Sequence, residues 1–268
     1  MSKKENVNDP KKLVQQQFGK HAEHYVNSQS HARGDSLGRL IELLELKPGA
    51  RLLDIATGGG HTALAAARNN ANVIAGDITH RMLTTARNHI VAEGQSALDY
   101  VQYDAENIPF ADGSLDVITC RIAPHHFPDV ERFVREAARA LKPGGKFGVV
   151  DIIAPETKKA AQYTNNYERL RDPSHGIAYS IPDWHYFMFT AGFDVLATEH
   201  TVSRQQVGVW AARIGCDDQT IERLRVMLLQ APQEIRAWYE VIAQPGESKY
   251  VDVNFNIQQA IFVAQKRA

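Results

Sequence analysis

The apolar positions of this chain follow two rhythms. From about residue 51 to 154, short apolar runs alternate with segments of helical period. Residues 51–55 form the first run, with Leu52, Leu53 and Ile55 around Asp54, and an alanine-rich helical stretch over 62–68 follows a glycine turn. A second strand is predicted over 72–77. It ends in Asp77, and Thr79 is placed to cap a helix carrying Met82, Leu83, Ala86 and Ile90 on one face. Further strands are predicted over 98–104, 115–122 and 146–154; the fourth is nearly all apolar, as suits a strand covered on both faces. Val130, Phe133, Val134, Ala137, Ala138 and Leu141 mark the helix between the last two, closed by Pro143-Gly144-Gly145. With a helix over 36–46, five strands and four helical segments predict an open, doubly wound parallel sheet.

The flanks differ. Val14, Phe18, Ala22 and Tyr25 recur at helical spacing behind a polar start, which predicts an amphipathic N-terminal helix. After residue 154 the spacing predicts a helix over 156–171, a turn at Asp172-Pro173-Ser174-His175, a helix over 183–191 and a strand over 193–202. About fifty residues of helical pattern then precede a closing strand over 253–265. That excursion is placed to cap the carboxyl edge of the sheet. The expected division is 1–46 as a helical lid, 47–202 as the core, 203–250 as a helical cap and 251–268 as the final core strand.

Composition narrows the function. Lys and Arg total 30 against 31 Asp and Glu, so no basic excess gathers a nucleic-acid backbone, and no nucleic-acid partner is expected. The two cysteines, Cys120 and Cys216, stand far apart and outside any CxxC, which suggests neither a disulfide framework nor a zinc site; no metal is expected. No run approaches 18 consecutive apolar residues and the start is polar, so the expectation is a cytoplasmic chain without a membrane span.

Chemistry gathers at the strand ends. Open α/β sheets bind ligands beyond the carboxyl ends of their strands, where strand order reverses. There the first strand feeds Asp54-Ile55-Ala56-Thr57-Gly58-Gly59-Gly60, whose glycines let backbone approach a ligand that a Cβ would repel. Alone this is a tight turn, or a phosphate loop. Asp77 ends the second strand, where a carboxylate can accept from both hydroxyls of an adenosine ribose. Asp104 follows the third, placed to accept from an adenine amino group with the Ala105 N–H near the ring, and Met82 can pack on the adenine face. A dinucleotide loop is the nearest competitor, although position 63, where its third glycine would fall, is Ala63.

In order and spacing these pieces resemble the class I S-adenosylmethionine-dependent methyltransferases, especially the small-molecule branch related to the ubiquinone/menaquinone biosynthesis C-methyltransferases. The resemblance covers about residues 20–200. It rests on Leu53 to Gly60, Asp77, Asp104-Ala105-Glu106 with Ile108-Pro109-Phe110, Leu115-Asp116-Val117-Ile118 and Leu141-Lys142-Pro143-Gly144-Gly145. It implies S-adenosyl-L-methionine as cofactor and a Rossmann-like α/β sheet of seven strands, the last antiparallel. It implies that Asp54, Ala56, Thr57, Gly58 and Gly60 hold the methionine end, Asp77 and Ile78 the ribose, and Met82, Asp104 and Ala105 the adenine. Ala56 departs from the pattern, a glycine being commoner there.

The acceptor is less legible. Methyl transfer from a sulfonium needs alignment and water exclusion, and needs a base only when the acceptor must lose a proton. The loop after the fourth strand reads Arg121-Ile122-Ala123-Pro124-His125-His126-Phe127 and lacks the (Asn/Asp)-Pro-Pro-aromatic tetrapeptide of nucleobase amino-methyltransferases. His125 or His126 is a candidate base, with His175 a second choice; the alternatives are a helix cap and a solvated loop residue. Arg121 is placed to reach a cofactor carboxylate, an anionic substrate or a nearby acid, and Tyr25, His31 and Arg33 lie in the segment expected to fold over the cofactor. The expected function is methyl transfer to carbon, oxygen or nitrogen of a small, partly apolar molecule, by a monomer or homodimer. The alternatives are a non-catalytic adenosylmethionine sensor and a nucleic-acid or protein methyltransferase.

Overall fold

The computed structural model describes residues 9–26, 35–244 and 252–268, without the side chains of 20–26, 35, 244 and 252. Helix α1 (Pro10–Val26) is followed by α2 (Asp35–Leu44), and then strand and helix alternate: β1 (Arg51–Ile55), α3 (His61–Arg68), β2 (Asn72–Asp77), α4 (His80–Ala92) and β3 (Asp99–Gln102). No helix links β3 to β4 (Leu115–Arg121); α5 (Val130–Ala140) then leads to β5 (Leu141–Ile152). The remainder is α6 (Lys158–Arg171), α7 (Ile181–Thr190), β6 (Phe193–Gln206), three helices α8 (Val207–Ala212), α9 (Asp218–Leu229) and α10 (Gln233–Trp238), and two strands β7 (Ile242–Gln244) and β8 (Asp252–Lys266).

One sheet runs β3-β2-β1-β4-β5-β8-β6, with β7 on β8. Strands β1 to β5 are parallel, and β8 is antiparallel to β5, β6 and β7, so the last strand has the expected direction. Successive side chains along a strand face opposite ways. Leu52 and Val117 accordingly join Leu40, Leu44 and Ala63 on one face, while Leu53 and Ile118 join Phe133, Phe147 and Trp184 on the other. Both faces are covered, which is why the central strands read as unbroken apolar runs. A third cluster (Tyr167, Trp210, Leu224, Leu228, Tyr239 and Phe255) joins α6, α8, α9 and α10 to the first half of β8. No helix of the described residues is long and apolar enough to cross a membrane.

Three expectations shift. Pro143-Gly144-Gly145 follows the end of α5 at Ala140 as expected, but β5 begins at Leu141 and not at 146 and so takes the run in, with pairing that slips between Leu115 with Leu141 and Val117 with Lys146. The third strand is shorter than 98–104, because the Asp104 carboxylate turns back to accept from the Glu106 N–H and ends the ladder. Strand β6 runs four residues beyond 202, drawn out by β8, and β7 adds an eighth strand within the segment expected to be wholly helical.

Candidate functional site

The strand order reverses between β1 and β4, so the loops after them diverge and open a crevice at the sheet's carboxyl edge. Three adjoining cavities fill it. The first, about 770 Å³ including its open mouth, is lined by Asp54, Ala56, Thr57, Gly58 and Gly59 after β1, Asp77, Ile78 and Met82 after β2, and Arg121, Ile122 and His126 after β4. The second, about 400 Å³, carries on past Asp77 to Tyr103, Asp104, Ala105 and Glu106 after β3. The third, about 870 Å³, lies on the other side, among His125, His126, Glu168, Arg171, Asp172, His175, Gln205, Trp210 and Arg213. Phe18, Ile122 and His126 line both the first and the third, so these two spaces meet there.

The β1 loop owes its shape to backbone and two acids. Gly58 and Gly60 sit at φ 54° and 81°. A Cβ on Gly60 would lie 2.9 Å from Ile90 Cδ1, so α3 can start against α4 only with glycine there. Asp54 is buried and accepts from the Thr57 hydroxyl at 2.7 Å and the Thr119 hydroxyl at 2.8 Å. Asp77 accepts from the Gly58 N–H at 3.1 Å and the Thr79 N–H at 2.8 Å, tying the loop after β1 to the end of β2. Burial raises both carboxyls to about 6, partly offset by these donors. Ala56 adopts φ 51°, a left-handed conformation that penalises a Cβ and explains why glycine is the commoner residue. Burial lowers Arg121 to about 10 against the pull of Asp54, and its Nε donates to the Thr62 hydroxyl.

In the second cavity Asp104 is engaged by Lys11 of α1, whose Nζ lies 2.6 Å from Asp104 Oδ2 and 2.5 Å from Glu106 Oε2. Met82 is buried on the wall of the first cavity. The Tyr25 side chain lies outside the described residues, as do His31 and Arg33.

On the third cavity the histidines are neither caps nor solvated. Helix α5 is capped by Asp129, and His125, His126 and His175 are all buried. His125 Nδ1 lies 2.6 Å from Asp151 Oδ1. Burial alone would lower its pKa, but Asp151, with Glu168 and Asp172, outweighs burial and raises it above the ordinary value. His126 Nδ1 lies 3.0 Å from the Ser174 carbonyl, which can only accept, so that nitrogen carries the proton. Burial and the His125 charge hold His126 far below its ordinary value. His175 Nε2 meets Asn165 Oδ1 at 2.7 Å and is pushed down by burial to about 2. Glu168 is raised to about 7 by burial. Ile122, between the cavities, holds φ 54°, an outlier for a β-branched residue and the kind of strain that collects at functional sites.

Comparison with known proteins decides what this crevice serves. A methyltransferase-domain family model matches residues 53–149. An uncharacterized methyltransferase of Bacillus subtilis, YcgJ, is 42% identical over 174 residues, spanning 65% of this chain and 68% of that protein. The solved BH2331 protein of Bacillus halodurans is 33% identical with a TM-score of 0.81, covering 87% of this chain and 99% of that one. The 27-O-demethylrifamycin SV methyltransferase of Amycolatopsis mediterranei is 27% identical over 234 residues, 84% of this chain and 82% of that protein. The chain belongs to the class I S-adenosylmethionine-dependent methyltransferases.

This methyltransferase brings its expected cofactor residues, Gly60 and Tyr25 apart, to the first two cavities, and its three candidate bases to the third; Gly60 instead starts α3 against α4. Sequence reasoning missed Asp151, Lys11 and Phe18, whereas Glu168 stands in a run, Glu168 to His175, that reads from the sequence as lying beside the substrate space. Asp151 had a signal, being an acid inside the apolar run Val149-Val150-Asp151-Ile152-Ile153, as Asp54 is inside its own. Among the described residues no group of three His, Cys, Asp or Glu side chains has the geometry to hold a metal.

Proposed function

We propose that this methyltransferase methylates an oxygen of a small, partly apolar molecule, with His125 as the base that takes the acceptor's proton. The observation that carries the reading is the His125–Asp151 pair, 2.6 Å apart, in the wall of a cavity that meets the cofactor cavity at Phe18, Ile122 and His126. A phenol or enol must lose a proton as it attacks, and a nearby base is useful only then. Of the three histidines, His125 alone is raised; His126 and His175 stay neutral to low pH and serve to position. Asp151 fixes the Nδ1–H tautomer and leaves Nε2 to accept the proton. The rifamycin relative, whose name points to an oxygen acceptor, supports the same assignment.

The cofactor residues follow the cavities. Thr57, Gly58 and Arg121 would hold the amino-acid end, with Asp54 bracing the loop through Thr57. Asp77 and Ile78 would hold the ribose, and Met82, Asp104 and Ala105 the adenine. Bound adenosylmethionine supplies an activated methyl group on sulfur and leaves as adenosylhomocysteine. Residues 1–46 would act as a lid and 203–250 as a cap. Near-neutral charge supports a small acceptor over a nucleic acid, and two free cysteines suit a reducing, cytoplasmic setting.

The test incubates the full chain with methyl-labelled adenosylmethionine and matched phenols, enols and amines, reading adenosylhomocysteine release and product mass. O-methyl products that disappear with His125→Asn are expected. Products methylated on nitrogen, with turnover indifferent to His125→Asn, would sink the reading.

A further inference from the structure

The glycine loop after β1 is gripped from behind by one face of α4. Ala86, His89 and Ile90 stand three and four residues apart and so share that face. Ala86 and Ile90 are buried and close on Gly60, where a Cβ would lie 3.1 Å from Ala86 Cβ and 2.9 Å from Ile90 Cδ1. His89 supplies the polar contact: its Nδ1 lies 2.7 Å from the Gly59 carbonyl oxygen, thirty residues away in sequence. A carbonyl only accepts, so this nitrogen carries the proton. The His89 ring also meets the His61 ring edge-on, with centroids 4.7 Å apart. His61 begins α3, is buried and lines the first cavity.

An apolar side chain at position 89 would serve the packing as well but would give the carbonyl no donor. What the histidine adds is direction. Gly58 and Gly60 both take positive φ, and glycines leave a backbone many ways to turn. The peptide joining Gly59 to Gly60 is planar, and it is held on both sides. Its carbonyl accepts from His89, while its N–H donates to the Thr57 carbonyl at 2.8 Å. Thr57 in turn donates its hydroxyl to Asp54 at 2.7 Å. A chain of contacts therefore runs from α4 through the Gly59–Gly60 peptide to Thr57 and Asp54, and Thr57, Gly58 and Gly59 line the first cavity.

Resting on the assignment of this loop to the amino-acid end of the cofactor, we infer that His89 is a positioning residue for adenosylmethionine. By holding the Gly59–Gly60 peptide it sets the loop in the shape that receives the amino-acid end. The adenosine half, assigned to Asp77, Met82, Asp104 and Ala105, depends on it far less.

The test compares two ligands on the full chain by calorimetry. One is adenosylhomocysteine; the other is 5′-methylthioadenosine, which keeps the adenosine and the sulfur but lacks the amino-acid end. His89→Phe keeps a ring beside His61 and removes the donor, while His89→Asn puts an amide N–H near the place of Nδ1. The phenylalanine variant is expected to bind adenosylhomocysteine about fivefold to tenfold more weakly, as the loss of one hydrogen bond predicts, with methylthioadenosine changed by less than about twofold. The asparagine variant should recover most of that loss. Undiminished adenosylhomocysteine binding by His89→Phe, an equal loss for both ligands, or a loss that asparagine does not recover overturns the inference. An unaltered chain that binds the two ligands equally would overturn the assignment of the loop, and the inference with it, so the two failures are distinguishable. Should His89→Phe lose its cooperative melting transition, His89→Leu carries the comparison.

Discussion

The two halves of the crevice are built differently. On the cofactor side, backbone shape and short-range contacts prevail: Gly58 and Gly60 at positive φ, Thr57 on Asp54 three residues away, and Thr79 on Asp77 two residues away. On the acceptor side each important side chain is held across a long stretch of chain: His125 by Asp151, His126 by Ser174, and Arg171 by Trp210. The first half suits a ligand common to a whole family, since it depends on strand ends that any such sheet provides. The second depends on side chains that can change without disturbing the sheet, which is where acceptor choice can vary.

If that contrast is sound, substitutions should separate turnover from cofactor binding. The largest effect is expected from His125→Asn, which should lower turnover by about 10² to 10⁴ while leaving adenosylhomocysteine affinity unchanged. Asp151→Asn should follow it in direction, and steady-state adenosylhomocysteine release measures both. Asp77→Ala should do the converse, weakening adenosylhomocysteine by about 100-fold in calorimetry, since it removes a charged acceptor and frees the Gly58 N–H. Unchanged affinity in that variant would break the assignment of the first cavity.

The pH dependence should separate the halves again. Below its pKa of about 6 the Asp77 carboxyl is protonated and accepts poorly, so cofactor affinity should be level above pH 7 and fall as pH drops through about 6. His125 is raised, so turnover at saturating cofactor should climb with pH through a value above 6.5, where the imidazole becomes neutral and can accept a proton. His125→Asn should abolish the second dependence and spare the first. The smallest effect is expected at Lys11. It occupies Asp104 from α1, a half-exposed pair of little net strength, so Lys11→Ala should tighten adenosylhomocysteine by no more than about fivefold. Weaker binding would show instead that Lys11 helps to hold the ligand.

Much of the cofactor half was legible because its signals are local. An acid ending an apolar run, followed by glycines or a helix cap, marks a strand end whatever the rest of the chain does, so Asp54, Asp77 and Asp104 could be placed together from spacing alone. Asp151 escapes that rule because it lies inside its apolar run and not at the end of it. Glu168 and Arg171 stand in a run, Glu168 to His175, that the sequence places beside the substrate space, but nothing local marks which of its side chains face a cavity. Only the packing of α6 and α8 against β6 and β8 brings them and Arg213 to a common cavity. The Pro143-Gly144-Gly145 run marked the helix stop correctly but hid the start of β5, because pairing with β4 absorbs the run as a strand irregularity.

By itself the sequence determined the alternation of strands and helices and the loop at Asp54–Gly60, because periodicity and glycine conformation act over a few residues. It also carried the family, through the order of its strand-end acids. The tertiary structure decided which histidine is paired with a carboxylate, where the third cavity meets the first, and that Ala56 and Ile122 bear positive φ there. Those depend on contacts between residues 26 to 48 positions apart and on burial, which shifts a charge's free energy without leaving any mark in the local pattern.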